Sequence, residues 1–190
     1  MTGHFGERDA ELLYPLNEFY DELHLPLPSV ERLRGSQVPD PYRKLLVHHD
    51  DMTPTLEKFH QQPIRLRVLQ HHQLGEVLSR QVLLLLGDSE RSVEFGAIRI
   101  YLDQFPPQAR KLILEGRLPL GNILASEQVS HSSHPKAYVR ITSDAIINKA
   151  LGIGEATSLY GRRNRLASAS QKTLAEILEI LPPCSDPVTR

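Results

Sequence analysis

Two charges sit where the pattern otherwise places apolar side chains. Over residues 76–86, Leu78, Val82, Leu84 and Leu86 recur with a period of two, and Arg80 falls on their face. Near the C-terminus, Ala175, Ile177 and Leu181 share a face with Glu179. An ion on an inward face is costly unless it is paired or holds something. One reading places both charges at strand ends that reach solvent, or pairs them with each other. The other is a mostly buried pocket in which an Arg anchors an anion beside a carboxyl group. The Arg fork binds a carboxylate with two hydrogen bonds. A carboxyl in an apolar wall has a raised pKa and can serve as an acid.

Other residue groups are less specific. Arg162, Arg163 and Arg165 fall within the segment 159–166 and could meet phosphate or nucleic acid. On a strand, however, Arg163 and Arg165 share one face and Arg162 takes the other, and Tyr160 is the only aromatic nearby. A solvated face with salt bridges is the expectation. The nine histidines include the adjacent pairs His48–His49 and His71–His72, whose side chains diverge in any regular element. His131 and His134 lie in a Ser-rich stretch with no carboxylate close in sequence, so no metal site is expected. Gly152-Ile153-Gly154 lacks the strand-then-helix context and third glycine of a dinucleotide fingerprint.

These residues need a scaffold. The apolar spacing of Leu12, Leu13, Leu16, Phe19, Tyr20 and Leu23 predicts an acidic amphipathic helix broken near Pro15. Residues 25–42, with Pro26, Pro28, Pro39 and Pro41, read as a surface connection. A helix is expected from Thr53 as N-cap, with Pro54 at its first position. Ile64, Leu66 and Val68 alternate with Arg65 and Arg67 as in a half-buried strand. Strands are expected at 76–86 and 93–102, joined by a turn at 87–91. Helices should follow at 106–115 and 119–126, then a Ser- and His-rich loop over 127–135 and a strand at 137–142. Ser143 is expected to cap a helix reaching Leu151, and two strands should close the chain at 158–167 and 173–181. Hairpins and short helices without regular βαβ units predict an α+β fold: a single antiparallel sheet of about six strands with helices packed on one face.

Composition narrows the class. A chain of 190 residues is one ordinary domain, long enough to fold without a disulfide or metal staple. Lys and Arg number 22 against 23 Asp and Glu, a net charge of −1, which offers no bulk attraction to nucleic acid or to an anionic membrane. The lone Cys184 lies in a polar tail that reads as frayed and fits a reducing compartment. No signal peptide is evident, and the longest apolar run, Val82 to Leu86, is too short to span a bilayer. The expectation is a cytoplasmic monomer.

Five short stretches, in this order, resemble chorismate lyase (chorismate pyruvate-lyase), including its divergent branch first described only as a domain of unknown function. They are Asp51-Met52-Thr53, Leu78-Ser79-Arg80-Gln81-Val82, Leu118-Pro119-Leu120-Gly121, Tyr160-Gly161-Arg162-Arg163-Asn164-Arg165-Leu166 and Glu179-Ile180-Leu181-Pro182. Together they cover roughly residues 45–182. The chain departs from the family at Ala97, where Arg or Glu is frequent, at Tyr160 in place of Trp, and in a longer segment over 127–158. The spacing from Arg165 needs a one-residue adjustment to reach Glu179, which keeps Glu176 as an alternative acid.

The resemblance implies conversion of chorismate to 4-hydroxybenzoate and pyruvate without metal or organic cofactor, supplying the aromatic head group for quinone biosynthesis. It implies that Arg80 binds a substrate carboxylate and that Glu179 orients the substrate and assists proton transfer. It implies that Leu120 contributes a backbone or apolar contact, and that Met52 and Thr53 form part of a flap. It divides the chain into an acidic helical segment with a Pro-rich connection (1–44), a lyase-like domain (45–182) and a tail (183–190). The rival reading is a non-catalytic binding module for small aromatic carboxylates of the UTRA type, whose fold resembles that of chorismate lyases. UTRA domains usually follow a helix-turn-helix region, and the short acidic segment ahead of residue 45 suits no DNA contact.

Overall fold

Nine of the ten residues of β3 (Val77–Leu86) are buried. A strand buried on both faces must run between two layers, and that sets the architecture. The computed structural model describes residues 3–184. Seven strands form one antiparallel sheet in the order β1-β5-β6-β7-β4-β3-β2. They are β1 (Val30–Leu33), β2 (Ile64–Leu74), β3, β4 (Ser92–Tyr101), β5 (His131–Thr142), β6 (Ser158–Ser168) and β7 (Thr173–Leu181). The α+β class and the single antiparallel sheet are as expected.

Helices α3 (Tyr42–Leu46), α4 (Met52–His60), α5 (Pro107–Glu115) and α6 (Leu120–Ser126) gather on one face. There Leu78, Ile98, Ile100 and Ala175 pack with Ala109, Ile113, Ile123 and Leu124. Leu84, Leu86, Val93 and Leu181 pack with Leu45, Leu46, Met52 and Leu56. Against the other face lie α1 (Gly3–Leu13), α2 (Leu16–Glu22) and α7 (Ala145–Leu151). Leu13, Leu16, Phe19, Tyr20 and Ile147 cover Leu83, Leu85, Phe95, Val139, Leu178 and Ile180 there. The helix break falls between Leu13 and Leu16, around Pro15, as the sequence predicts.

Several boundaries differ from expectation for local reasons. The seventh strand, β1, lies inside the Pro-rich stretch read as a connection. It is four residues long, half-exposed and paired only with β5, so it carries no alternating pattern. β5 begins at His131 and absorbs half of the expected loop, and its Pro135 sits at a register shift before Ala137, where a missing N–H is tolerated. The cap of α7 is Asp144, whose carboxylate accepts from the N–H groups of Ile146 and Ile147 at 3.0 Å each. Ser143 instead accepts from the Thr157 N–H at 2.9 Å. Helix α4 starts at Met52 after Asp51, so Thr53 is inside the helix and not its cap. α5 follows its expected grammar, with Pro107 at the first position and Gly116 ending it at φ +66°. Of the expected tail, residues 185–190 lie outside the described residues. Among the described residues, no helix is long and apolar enough to cross a membrane.

Candidate functional site

Strand alternation and register together place two rows of side chains under α4 and α6. One row crosses four strands as Val82, Gly96, Glu179 and Arg162. The next row, two residues along each strand, is Arg80, Ile98, Ile177 and Asn164. Glu94, opposite Leu84, extends the first face by one more step. Over this floor, Asp51, Met52 and Thr53 meet Pro119, Leu120 and Gly121, and the cavity between them is about 70 Å³. A single water needs roughly 10–15 Å³ on that measure, so the space suits several waters or a small compact ligand. Gly96 keeps the floor open. A Cβ there would lie 3.2 Å from Glu94 Oε1 and 3.5 Å from Val82 Cγ2.

Arg80 lines one side of the cavity and is 3% exposed. Its Nη1 donates to the Ile113 carbonyl at 3.0 Å, and its Nε has no hydrogen-bond partner among the described residues. Burial pushes the guanidinium down to about 10, still fully cationic near neutral pH. Among the described residues no carboxylate pairs with it. A buried cation with an open donor is a seat for an anion.

Glu179 is also 3% exposed, and its carboxylate is held by Arg162, which is wholly buried. Arg162 Nε donates to Oε2 at 2.6 Å and Nη2 to Oε1 at 3.1 Å. The same guanidinium donates to the carbonyls of His48 at 3.1 Å and Asp50 at 3.4 Å. Burial pulls the Arg162 pKa down, but Glu179, its hydrogen bonds and Glu94 outweigh this and leave it raised. Arg162 thus ties the cavity's carboxylate to the segment leading into α4. Asp51 is secured separately, its carboxylate 2.9 Å from His131 Nε2.

Glu94 is the second buried acid, 4% exposed. Its Oε2 has no hydrogen-bond partner among the described residues. Burial, then the charge of Glu179, raise its pKa well above the ordinary carboxylate value, against the opposing pull of Arg162.

The two charges singled out in the sequence line one cavity, so neither simple alternative holds. They do not reach solvent, and the partner of Glu179 is Arg162, not Arg80. Leu120, Met52 and Thr53 line the same cavity. Glu176 points to the opposite face, 3.7 Å from Arg163, which removes it as the cavity's acid. Arg162 corrects the expectation of a solvated arginine face. Its partner lies on β7, seventeen positions away in sequence, so no local pattern announces it. The signal was available in the alternation itself, because Arg162 and Asn164 share the face of Leu166. Glu94 was missed because β4 carries apolar residues on both faces, Val93, Phe95 and Ala97 on one and Ile98 and Ile100 on the other, so its alternation marks neither face as the cavity side. His131, expected without a carboxylate nearby, is paired with Asp51 across the fold. Among the described residues no group of three or more His, Cys, Asp or Glu side chains is placed to hold a metal ion.

No family profile matches the chain, and no curated protein sequence matches it. Solved structures do. The chain is similar to the effector domain of PhnF from Mycobacterium smegmatis, with a TM-score of 0.52 and 10% identity over 69% of this chain and 87% of that one. A longer structure of PhnF from the same organism matches at a TM-score of 0.53 and 10% identity, over 71% of this chain and 64% of that one. The ligand-binding domain of a protein described as a GntR-family transcriptional regulator, from Bordetella bronchiseptica, matches at 0.47 and 13% identity, over 65% and 86%. At these identities the likeness is one of fold.

Proposed function

We propose that this chain binds a small aromatic carboxylate in the cavity, with the carboxylate on Arg80. The observation that carries this reading is a buried guanidinium, its Nε without a hydrogen-bond partner among the described residues, on the wall of a mostly apolar cavity. Arg80 gains a counter-ion on binding, and the ring fills the space between Val82, Ile98 and Leu120. The fold likeness to an effector domain supports a binding role. Ligands of the benzoate type suit the cavity's small size and mixed lining.

A second reading, turnover of chorismate to 4-hydroxybenzoate and pyruvate, is favoured by the carboxylate gripped at the same cavity. In that reaction a ring proton leaves, the ether bond to the side chain breaks, and its electron pair departs with enolpyruvate, which becomes pyruvate. Aromatisation supplies the driving force, so the protein's part is to position and to move a proton. Glu179, immobilised by Arg162, is suited to receive that proton, while Arg80 holds the ring carboxylate. Met52 and Thr53 on α4 close the space from above. No metal or organic cofactor takes part in this scheme.

One experiment separates the readings. The protein is mixed with chorismate in the presence of EDTA, and 4-hydroxybenzoate and pyruvate are followed together, with binding of 4-hydroxybenzoate measured by calorimetry. Equal release of both products supports the lyase. Binding without turnover supports the module alone. Neither binding nor turnover overturns the assignment of the cavity.

A further inference from the structure

The cavity holds two buried carboxyl groups but only one guanidinium shared between them. Arg162 commits both of its forward donors to Glu179, at 2.6 and 3.1 Å. Its remaining contacts go to the backbone carbonyls of His48 and Asp50 and to the His48 ring Nδ1 at 3.3 Å. Among the described residues Glu94 therefore has no cation of its own, and its Oε2 has no hydrogen-bond partner. It lines the cavity and is 4% exposed. Gly96, whose absent side chain leaves room beside Oε1, keeps this carboxyl accessible from the cavity. An unpartnered carboxylate so deeply buried is untenable, whereas a neutral carboxylic acid is tolerated and carries one O–H donor.

We infer that Glu94 is a specificity-determining residue of the cavity, a neutral acid that donates its O–H to an uncharged oxygen on the bound ring. This rests on the ring-carboxylate reading and narrows the ligand class to bipolar rings. One end carries a carboxylate for Arg80. The other carries a hydroxyl or ether oxygen that accepts from Glu94 and, if a hydroxyl, donates to Glu179. The strand register agrees. Arg80 and Leu84, the partner of Glu94, are four residues apart on β3, about 13 Å along the sheet at roughly 3.3 Å per residue. The two polar groups thus meet a ligand from opposite ends. Burial raises the affinity of Glu94 for its proton, in agreement with the geometry. The charged groups that bear on this proton are Glu179 from β7 and Arg162 from β6, while Arg80 from β3 and Asp51, just before α4, line the same cavity.

The test compares 4-hydroxybenzoate with benzoate by calorimetry on the wild type, Glu94→Gln and Glu94→Leu. The wild type should prefer the hydroxylated ring by roughly tenfold, the worth of one good hydrogen bond. Glu94→Leu should lose most of that preference, keeping only the part due to Glu179, while holding benzoate within about twofold, because the alkyl side chain still fills the wall. Glu94→Gln, whose amide still donates, should retain part of it. A Glu94→Leu variant that keeps the full preference overturns the inference. Infrared spectra of the ligand-free protein at neutral pH give an independent readout. A protonated-carboxyl band present in the wild type and missing from Glu94→Gln supports the neutral acid, and no difference between the two overturns it. If neither ring acid binds the wild type, the ring-carboxylate reading falls, and the infrared band still decides whether Glu94 is neutral.

Discussion

Arg162 and Glu179 face each other across adjacent strands, opposite in register and joined by two hydrogen bonds, with essentially no solvent on either. Their coupling fixes the cavity's carboxylate and, through the carbonyls of His48 and Asp50, the approach to α4. A buried pair of this kind is costly to form and far costlier to break.

Arg162→Met should therefore destabilise the chain by about 3–5 kcal/mol, because it strands a buried carboxylate. The double variant Arg162→Met with Glu179→Met should recover a large part of that loss. Urea unfolding of the three proteins measures both quantities. Equal stability of the wild type and the single variant would contradict the pairing.

Arg80→Met should act in the opposite way on stability and on binding. Among the described residues the buried guanidinium has no counter-ion, so a side chain of similar volume should leave stability unchanged or higher. Affinity for 4-hydroxybenzoate should fall by roughly 10- to 100-fold, the worth of a charge-assisted contact. Calorimetry and thermal unfolding on one preparation test the pair of outcomes.

Glu179→Gln should lower lyase turnover by about 100-fold or more, the usual scale of a lost proton-transfer group. Glu176→Gln should leave turnover unaltered, since that side chain lies across the sheet beside Arg163. Steady-state release of pyruvate from chorismate distinguishes them. Equal activity in all three proteins would remove the catalytic reading and leave binding.

Glu94 makes stability depend on pH with a definite sign. Its pKa in the folded chain lies above the ordinary 4.5, so the folded state binds more protons than the unfolded state above that value. Its stabilising contribution is complete below the unfolded pKa and declines as pH rises toward the folded one. The unfolding free energy of the wild type minus that of Glu94→Gln should fall as pH rises above the ordinary carboxylate range. A difference that is flat or rising with pH would contradict a raised pKa.

Gly161→Ala should cost roughly 1–3 kcal/mol, as overpacking between paired strands does. The new Cβ would stand 2.6 Å from the Glu179 carbonyl oxygen, and strand backbone cannot step aside cheaply. Gly96→Ala should cost less and reduce ligand affinity, because its Cβ stands 3.3 Å from the Leu178 carbonyl oxygen and crowds the Glu94 carboxyl at 3.2 Å. Chemical unfolding and calorimetry separate the two glycines.

Much of the scaffold was legible because its signals are local. The alternation of Leu78, Val82, Leu84 and Leu86, the Pro107 start and the Gly116 stop act over a few residues, and the elements formed where those signals lie. The two anomalous charges were legible for the same reason, since a period of two assigns a face without knowledge of neighbours. What depended on neighbours was not. β1 is a strand only because β5 offers it a partner, and Asp51 meets His131 from eighty positions away. The same holds for the site's electrostatics. Strand alternation determined that Arg80 and Glu179 face inward. Only the sheet order, which sets β6 beside β7 and β7 beside β4, decided that Glu179 belongs to Arg162, that Arg80 stays open, and that Glu94 is left with no cation. Pairing energies depend on distance in space, and one chain's spacing does not contain that distance until the strands have found their register.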